Sequence, residues 1–282
     1  MANEPAADAA LRPLTPGPLI RLGGPVLALD VAPKAGGRIA QIHYRGMPWL
    51  VGHDEVPAAI GWGCYPMLPW AGRIRNGRFR FGGDDYRLPP TLGTHAIHGV
   101  GFTSPWRVRR QGPASIELVL ALPEDERWPF GGSATQRIAV DRHGIRLRLS
   151  VQAGTRPMPL PVIGWHPWFL KPDALDFAPD ACFPRDGDGI ATLPPAAVPP
   201  GPWDDCFLNR QPVALHRQGQ ALQLRSGCRH WVVFDETAHA TCVEPQTAPP
   251  DAFNLHPDRQ LPPGAAVSAW LHLRWSSPPG AR

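Results

Sequence analysis

Lysine is nearly missing from this chain of 282 residues: Lys34 and Lys171 are the two it has, and the remaining basic residues are arginines spread without a basic run. The formal net charge of +4 invites a nucleic-acid reading, but such a partner needs its positive charge gathered into a patch or stripe. No nucleic-acid partner is expected. Cysteine is sparse as well. Cys64, Cys182, Cys206, Cys228 and Cys242 are odd in number, far apart, and form no Cys-x-x-Cys pair, which argues against a disulfide framework and against a zinc cage. No run of about 18 apolar residues is present, and the acidic N-terminus Met-Ala-Asn-Glu leads into no apolar signal region. A soluble cytoplasmic protein without membrane attachment is the expectation. Also missing are a Gly-x-Gly-x-x-Gly opening a helix, a phosphate loop ending in Gly-Lys-Ser/Thr, and a Gly-x-Ser-x-Gly elbow, so nucleotide and serine-hydrolase chemistry have no support.

What the chain has in excess is proline, 37 residues, and tryptophan, 11 residues. Proline breaks helix interiors but is tolerated at strand ends and turns, which points to many short strands joined by rigid loops. The hydrophobic pattern agrees. Ile116, Leu118 and Leu120 alternate along one strand; Ile138 and Val140 lead through a turn at Arg142, His143 and Gly144 to Ile145, Leu147, Leu149 and Val151. A final strand carries Val267, Ala269, Leu271, Leu273 and Trp275 on one face and Ser268, Trp270, His272 and Arg274 on the other. No stretch repeats every 3.6 residues. Consecutive strands separated by turns predict stacked antiparallel sheets, an all-β sandwich. Residues 1–17, rich in Ala and Pro, are expected to be a loosely ordered tail, and 18–282 one domain. The Pro-rich stretch 184–202 is expected to be a long ordered loop within it.

Polar residues set among aromatics, glycines and prolines mark the candidate site. His166 sits between Trp165 and Trp168 and is followed by Pro167, which restrains its backbone towards an extended form. Imidazole has the one unperturbed pKa near neutrality, so a rigid His in an aromatic cleft suits acid or base work, although a packed core histidine looks the same in sequence. Arg73 follows Trp70 and Gly72 in a stretch shaped by Pro69, where a guanidinium fork suits hydroxyl oxygens. His95 and His98 are three apart, which in an extended segment sends them to opposite faces, so no metal pair is expected. Asp204 and Asp205 follow the Pro-rich loop, and carboxylates accept paired hydrogen bonds from neighbouring hydroxyls. Glu244 ends an apolar strand just before Pro245.

Taken in order, these stretches resemble the aldose 1-epimerase (mutarotase) family from about Leu19 to Trp275. Pro69-Trp70-Ala71-Gly72-Arg73-Ile74 resembles its Asn-Arg-Ile motif and Ile97-His98-Gly99 its Leu-His-Gly motif. Trp165-His166-Pro167-Trp168-Phe169 resembles Asn-His-x-Tyr-Phe, and Asp204 to Phe207 resembles Asp-x-x-Phe. Val243-Glu244-Pro245-Gln246 followed by Pro250-Asp251-Ala252 resembles Glu-Thr-Gln followed by Pro-Asp-Ala. The resemblance implies a galactose mutarotase-like β-supersandwich and an isomerase that needs no cofactor and no metal. It implies Glu244 as catalytic base and His166 as catalytic acid, with Arg73, His98 and Asp204 binding a free hexose such as galactose or glucose. Gly72 and Trp165 stand where the family usually has Asn, which makes Trp165 a candidate for setting sugar choice, and Asp205 is an alternative to Asp204. Two other readings remain: a hexose-6-phosphate epimerase, with Arg75, Arg78 or Arg107 holding the phosphate, and a non-catalytic carbohydrate-binding protein. A monomer and a homodimer are both compatible with the sequence.

Overall fold

The alternation along the chain becomes two stacked antiparallel sheets in the computed structural model, which describes residues 8–276. The smaller sheet has eight strands, in the spatial order Arg107–Gly112, Ser115–Ala121, Ser133–Val140, Gly144–Gln152, Ala266–Ser276, Gln220–Ser226, Val213–Arg217 and Ala174–Asp176. Ile138 lies opposite Leu147, and Leu147 opposite Leu271, so the apolar faces of three strands coincide. On the long last strand Ala269, Leu271, Leu273 and Trp275 are buried, while Ser268, Trp270, His272 and Arg274 are exposed. This is the face division that the period of two predicts.

The larger sheet has ten strands, and four neighbours at its centre matter most: Gly164–Leu170, Ala240–Gln246, His230–Phe234 and Asp204–Leu208, each antiparallel to the next. Trp165, Phe169, Val243 and Trp231 point from these strands into the core between the sheets. Trp165 reaches across it, its Nε1–H donating to Oε1 of the buried Gln136 on the smaller sheet at 3.0 Å. The other face of the same strands is roofed by loops rather than by a sheet. Among the described residues helix is confined to one turn at Ala252–Leu255 and two 3-10 turns, and none of it is long and apolar enough to cross a membrane.

Residues 1–7 of the expected tail, and 277–282 of the expected domain, lie outside the described residues. The rest of the tail touches the body. Ala10 is buried, its N–H donates to the Thr91 carbonyl at 3.0 Å, and its own carbonyl accepts from the Ile60 N–H at 3.0 Å.

Candidate active site

Pairing register lines up one row of side chains across the four central strands. Trp168 lies opposite Cys242, Glu244 opposite Val232, Cys206 opposite Val232, and Asp204 opposite Phe234. Residues two apart share a face, so His166 and Trp168, Cys242 and Glu244, Val232 and Phe234, and Asp204 and Cys206 all look away from the core. His166 Nε2 lies 3.2 Å from Glu244 Oε1, and both side chains are almost wholly buried. The Trp168 ring stacks on the imidazole, centroids 5.3 Å apart and planes 15° apart.

Two further residues arrive on a miniature ladder. Arg73–Ile74 pairs with Ala96–Ile97, placing Arg73 opposite Ile97 and next to His98. The chain then closes a ring of bonds: the His98 N–H donates to the Gly72 carbonyl at 3.0 Å, and the Gly72 N–H donates to His98 Nδ1 at 3.2 Å. With Nδ1 accepting, the ring proton sits on Nε2 and is free to donate into the cavity. Glycine is required twice in this stretch. Gly72 has φ +69°, and a Cβ there would lie 2.6 Å from Pro250; Gly99 has φ +74°, and a Cβ there would lie 1.9 Å from the Leu68 carbonyl oxygen. His95 is not a partner for His98, because its Nδ1 accepts from the Asn76 N–H instead.

The remaining wall comes from the Pro-rich loop. Arg185 reaches Asp204 Oδ2 with Nη1 at 3.0 Å and Asp205 Oδ1 with Nε at 2.8 Å. Gly189, Ile190 and Ala191 follow it along the wall. Arg75, opposite, is bound by Asp186 and, at 2.6 Å, by Asp188. Together these elements enclose a cavity of about 230 Å³ lined by Arg73, His98, His166, Trp168, Asp204 and Glu244, among others.

Burial governs the charges inside. It holds Glu244 well above the usual carboxylate range, Asp204 adding to the rise and Arg73 opposing it. It holds His166 well below the usual histidine range, with His98 and Arg38 pushing the same way. His98 is brought down to about 3 by burial and then Arg73, and Asp204 is raised by burial against the pull of Arg185 and Arg73. Burial therefore favours a neutral imidazole beside a protonated carboxyl, one proton between two groups in contact.

Five of the six residues singled out in the sequence, Arg73, His98, His166, Asp204 and Glu244, line this cavity. Trp165 does not. It lies one residue from His166 on an extended strand, so its ring points to the opposite side and is fully buried in the core. The expectation that Trp165 contacts sugar is corrected accordingly, and Trp168 takes the place beside the imidazole. The same period of two, counted from His166, was the signal for it. Asp204 shares the face of Glu244; Asp205 starts from the other face and is the more buried of the two, yet it too lines the cavity. Arg185 had no signal in the sequence, since its position depends on how a loop folds back. His166, Cys242 and Glu244 hold ligand-type atoms within 4.8 Å of one another. All three are buried, and burial raises the Cys242 thiol well above its ordinary range.

The family described as aldose 1-epimerase matches residues 18–274. Among curated proteins of Escherichia coli strain K12, the uncharacterized protein YihR is 29% identical over 142 residues, 47% of this chain and 44% of that protein. The uncharacterized protein YphB is 28% identical over 146 residues, 51% of this chain and 49% of that protein. The chain thus spans about half the length of the curated relatives it matches. A galactose mutarotase-like protein from Clostridium acetobutylicum has a similar structure with a TM-score of 0.80 at 16% identity, covering 92% of this chain and 95% of that one. Galactose 1-epimerase from Lactobacillus acidophilus NCFM gives 0.77 at 15% identity, covering 92% and 95%. The GalM/aldose epimerase homologue from C. elegans gives 0.78 at 18% identity, covering 92% and 99%. At these identities the likeness is one of fold.

Proposed function

The chain belongs to the aldose 1-epimerase family, and from that premise we propose that it is a mutarotase interconverting the α and β anomers of a free hexose such as galactose or glucose. The observation that carries this reading is the buried 3.2 Å contact between His166 Nε2 and Glu244 Oε1 in a cavity shared with Arg73, His98 and Asp204. Opening a cyclic hemiacetal removes the C1 hydroxyl proton and delivers another to the ring oxygen. Glu244, as carboxylate, takes the first; His166, as imidazolium, gives the second. The O1 lone pair forms the carbonyl as the bond from C1 to the ring oxygen breaks. Rotation about C1–C2 and reclosure with the two roles exchanged gives the other anomer.

The pair needs one proton in every step, and burial of both groups favours the form that carries one. Its resting form, with Glu244 protonated and His166 neutral, suits the open-chain sugar. A cyclic sugar calls for the other form, reached when the proton crosses the 3.2 Å contact while hydroxyl donors and Arg73 stabilise the carboxylate. Arg73 and the His98 Nε2–H donate to sugar oxygens, Asp204 accepts from hydroxyls, and Trp168 offers its flat face to the ring.

A hexose 6-phosphate fits this cavity less well. Arg75 is already held by Asp186 and Asp188, and Arg185 by Asp204 and Asp205, so a phosphate must displace carboxylates to reach either. Arg107 stands on the smaller sheet, away from the cavity. A purely sugar-binding role leaves the burial of an acid and a base in mutual contact without purpose. The test is polarimetric. Fresh α-galactose and α-glucose should lose optical rotation faster with the protein than in buffer, their 6-phosphates should not, and Glu244→Gln should slow the reaction by roughly a hundredfold or more. Buffer rates for every free hexose, or full activity in the Gln variant, would refute the reading.

A further inference from the structure

Arg38 opens the strand Arg38–Tyr44, and none of it reaches solvent. Its guanidinium is occupied by backbone. Nε donates to the Ala35 carbonyl at 2.7 Å, Nη1 to the carbonyls of Ala59 and Trp62 at 2.9 Å each, and Nη2 to that of Phe102 at 2.8 Å. The cation lies 4.1 Å from the Trp62 ring centre and 5.0 Å from that of Tyr65. Among the described residues no carboxylate pairs with it, and the ionisable groups acting on it, Tyr65 and Cys64, are both kept neutral by burial. A buried charge without a counter-ion is destabilising, so an apolar side chain of similar volume would serve packing better.

What Arg38 grips is the frame of the site. Ile60, between the two carbonyls held by Nη1, lines the cavity, and its own carbonyl accepts the Tyr65 hydroxyl at 3.0 Å. Phe102 ends the loop that carries His98, its ring edge-on to that imidazole at 6.2 Å. Tyr65 in turn lies 4.8 Å from the His166 ring, centre to centre. Building on the reading of His166 as the proton donor, we propose that Arg38 is a positioning residue, which fixes the walls around His166 and places a permanent positive charge behind its imidazole across the Tyr65 ring.

The other groups facing His166 do not supply such a charge. Glu244 shares a proton with it, Cys242 and Tyr65 are held neutral by burial, and His98 is held neutral by burial and Arg73. Arg73 stands on the cavity side, where sugar binds. Burial lowers Arg38 only to about 9, so it stays charged at neutral pH and adds to the pressure on His166 to remain uncharged.

The experiment compares Arg38→Gln, which removes the charge, with Arg38→Lys, which keeps the charge but gives up the fork. The Gln variant should move the acid limb of kcat/KM, and the NMR titration of His166, upward by about one pH unit, the size expected for unit charges some 10 Å apart at an effective dielectric of 20. The Lys variant should leave both near the wild-type position while raising KM. If the Gln variant does not fold, citrulline at position 38 keeps the shape and most donors without the charge, and should show the same shift. An unmoved His166 titration in the neutral variant overturns the proposal. Because the titration needs no sugar, the shift supports the role of Arg38 even in a protein that turns over no hexose, a result that would count against the mutarotase reading alone.

Discussion

Trp168 lies nearly parallel to the imidazole of His166, while Trp165, three residues earlier, is fully buried on the other side of the strand with its Nε1–H on Gln136. The two tryptophans should therefore answer to different measurements. Trp168→Ala should raise KM by roughly three- to tenfold, the worth of one aromatic stacking contact, with little change in melting temperature. Trp165→Phe should leave KM alone and cost about 1–2 kcal/mol in denaturant unfolding, because Gln136 Oε1 loses a buried donor. The proposed pair makes its own prediction. Activity needs one proton shared between His166 and Glu244; since the former is pushed down and the latter up, the one-proton form spans neutrality. A plot of kcat/KM against pH should be flat around 7, with its acid limb below the ordinary histidine value of about 6.5. An acid limb at or above that value would deny His166 its depressed proton affinity.

The ladder of Arg73–Ile74 with Ala96–Ile97 brings two motifs that are 25 residues apart to one wall of the cavity. It is only two residues long on each side, too short for a hydrophobic period to announce it, and it depends on glycines more than on apolar residues. Gly72 stands where the Asn-Arg-Ile motif that this stretch resembles has Asn, yet placing Asn there should not improve this site. Its φ of +69° is within reach of Asn, but the Cβ would press on Pro250 at 2.6 Å. Gly72→Asn should destabilise by roughly 2 kcal/mol or more and weaken sugar binding, measured by urea unfolding and KM. The contrast explains what could be read in advance. Strands such as Gly144–Gln152 and Ala266–Ser276 announce themselves, since alternation encodes which side is buried. His166, Glu244 and Arg73 were legible because ordered motifs carry them. Ile60, Arg185 and the buried Arg38 were not, because their neighbours in space come from loops and strands distant in sequence, and no local pattern records that.

Folding also rearranges charge over the whole molecule. Arginines that look scattered along the chain gather on the outer face of the smaller sheet: Arg137 lies opposite Arg148, Arg148 opposite Trp270, and Arg146 and Arg225 both opposite His272. The cavity opens on the far side, beyond the larger sheet, among buried groups that resist ionisation. This distribution makes stability depend on pH. His230 is lowered to about 4, by burial first and then by His256 and Arg259. Its folded pKa lies below its unfolded one, so between them the unfolded chain binds the extra proton; stability is intact above about 6.5 and is lost as pH falls towards 4. His98 and His166 act in the same sense, while Asp204, Asp251 and Glu244, raised by burial, act oppositely as pH climbs above 3.8 for the two aspartates and 4.5 for the glutamate. These opposing slopes overlap, so the contribution of one histidine is best isolated by difference. His230 does not line the cavity. His230→Gln should gain on the wild type by about 3 kcal/mol in unfolding free energy between pH 7 and pH 4, the size set by a fall from the ordinary 6.5 to about 4. Urea titrations at a series of pH values measure that difference, and a gap that stays constant across the range would mean that folding leaves the proton affinity of His230 unchanged.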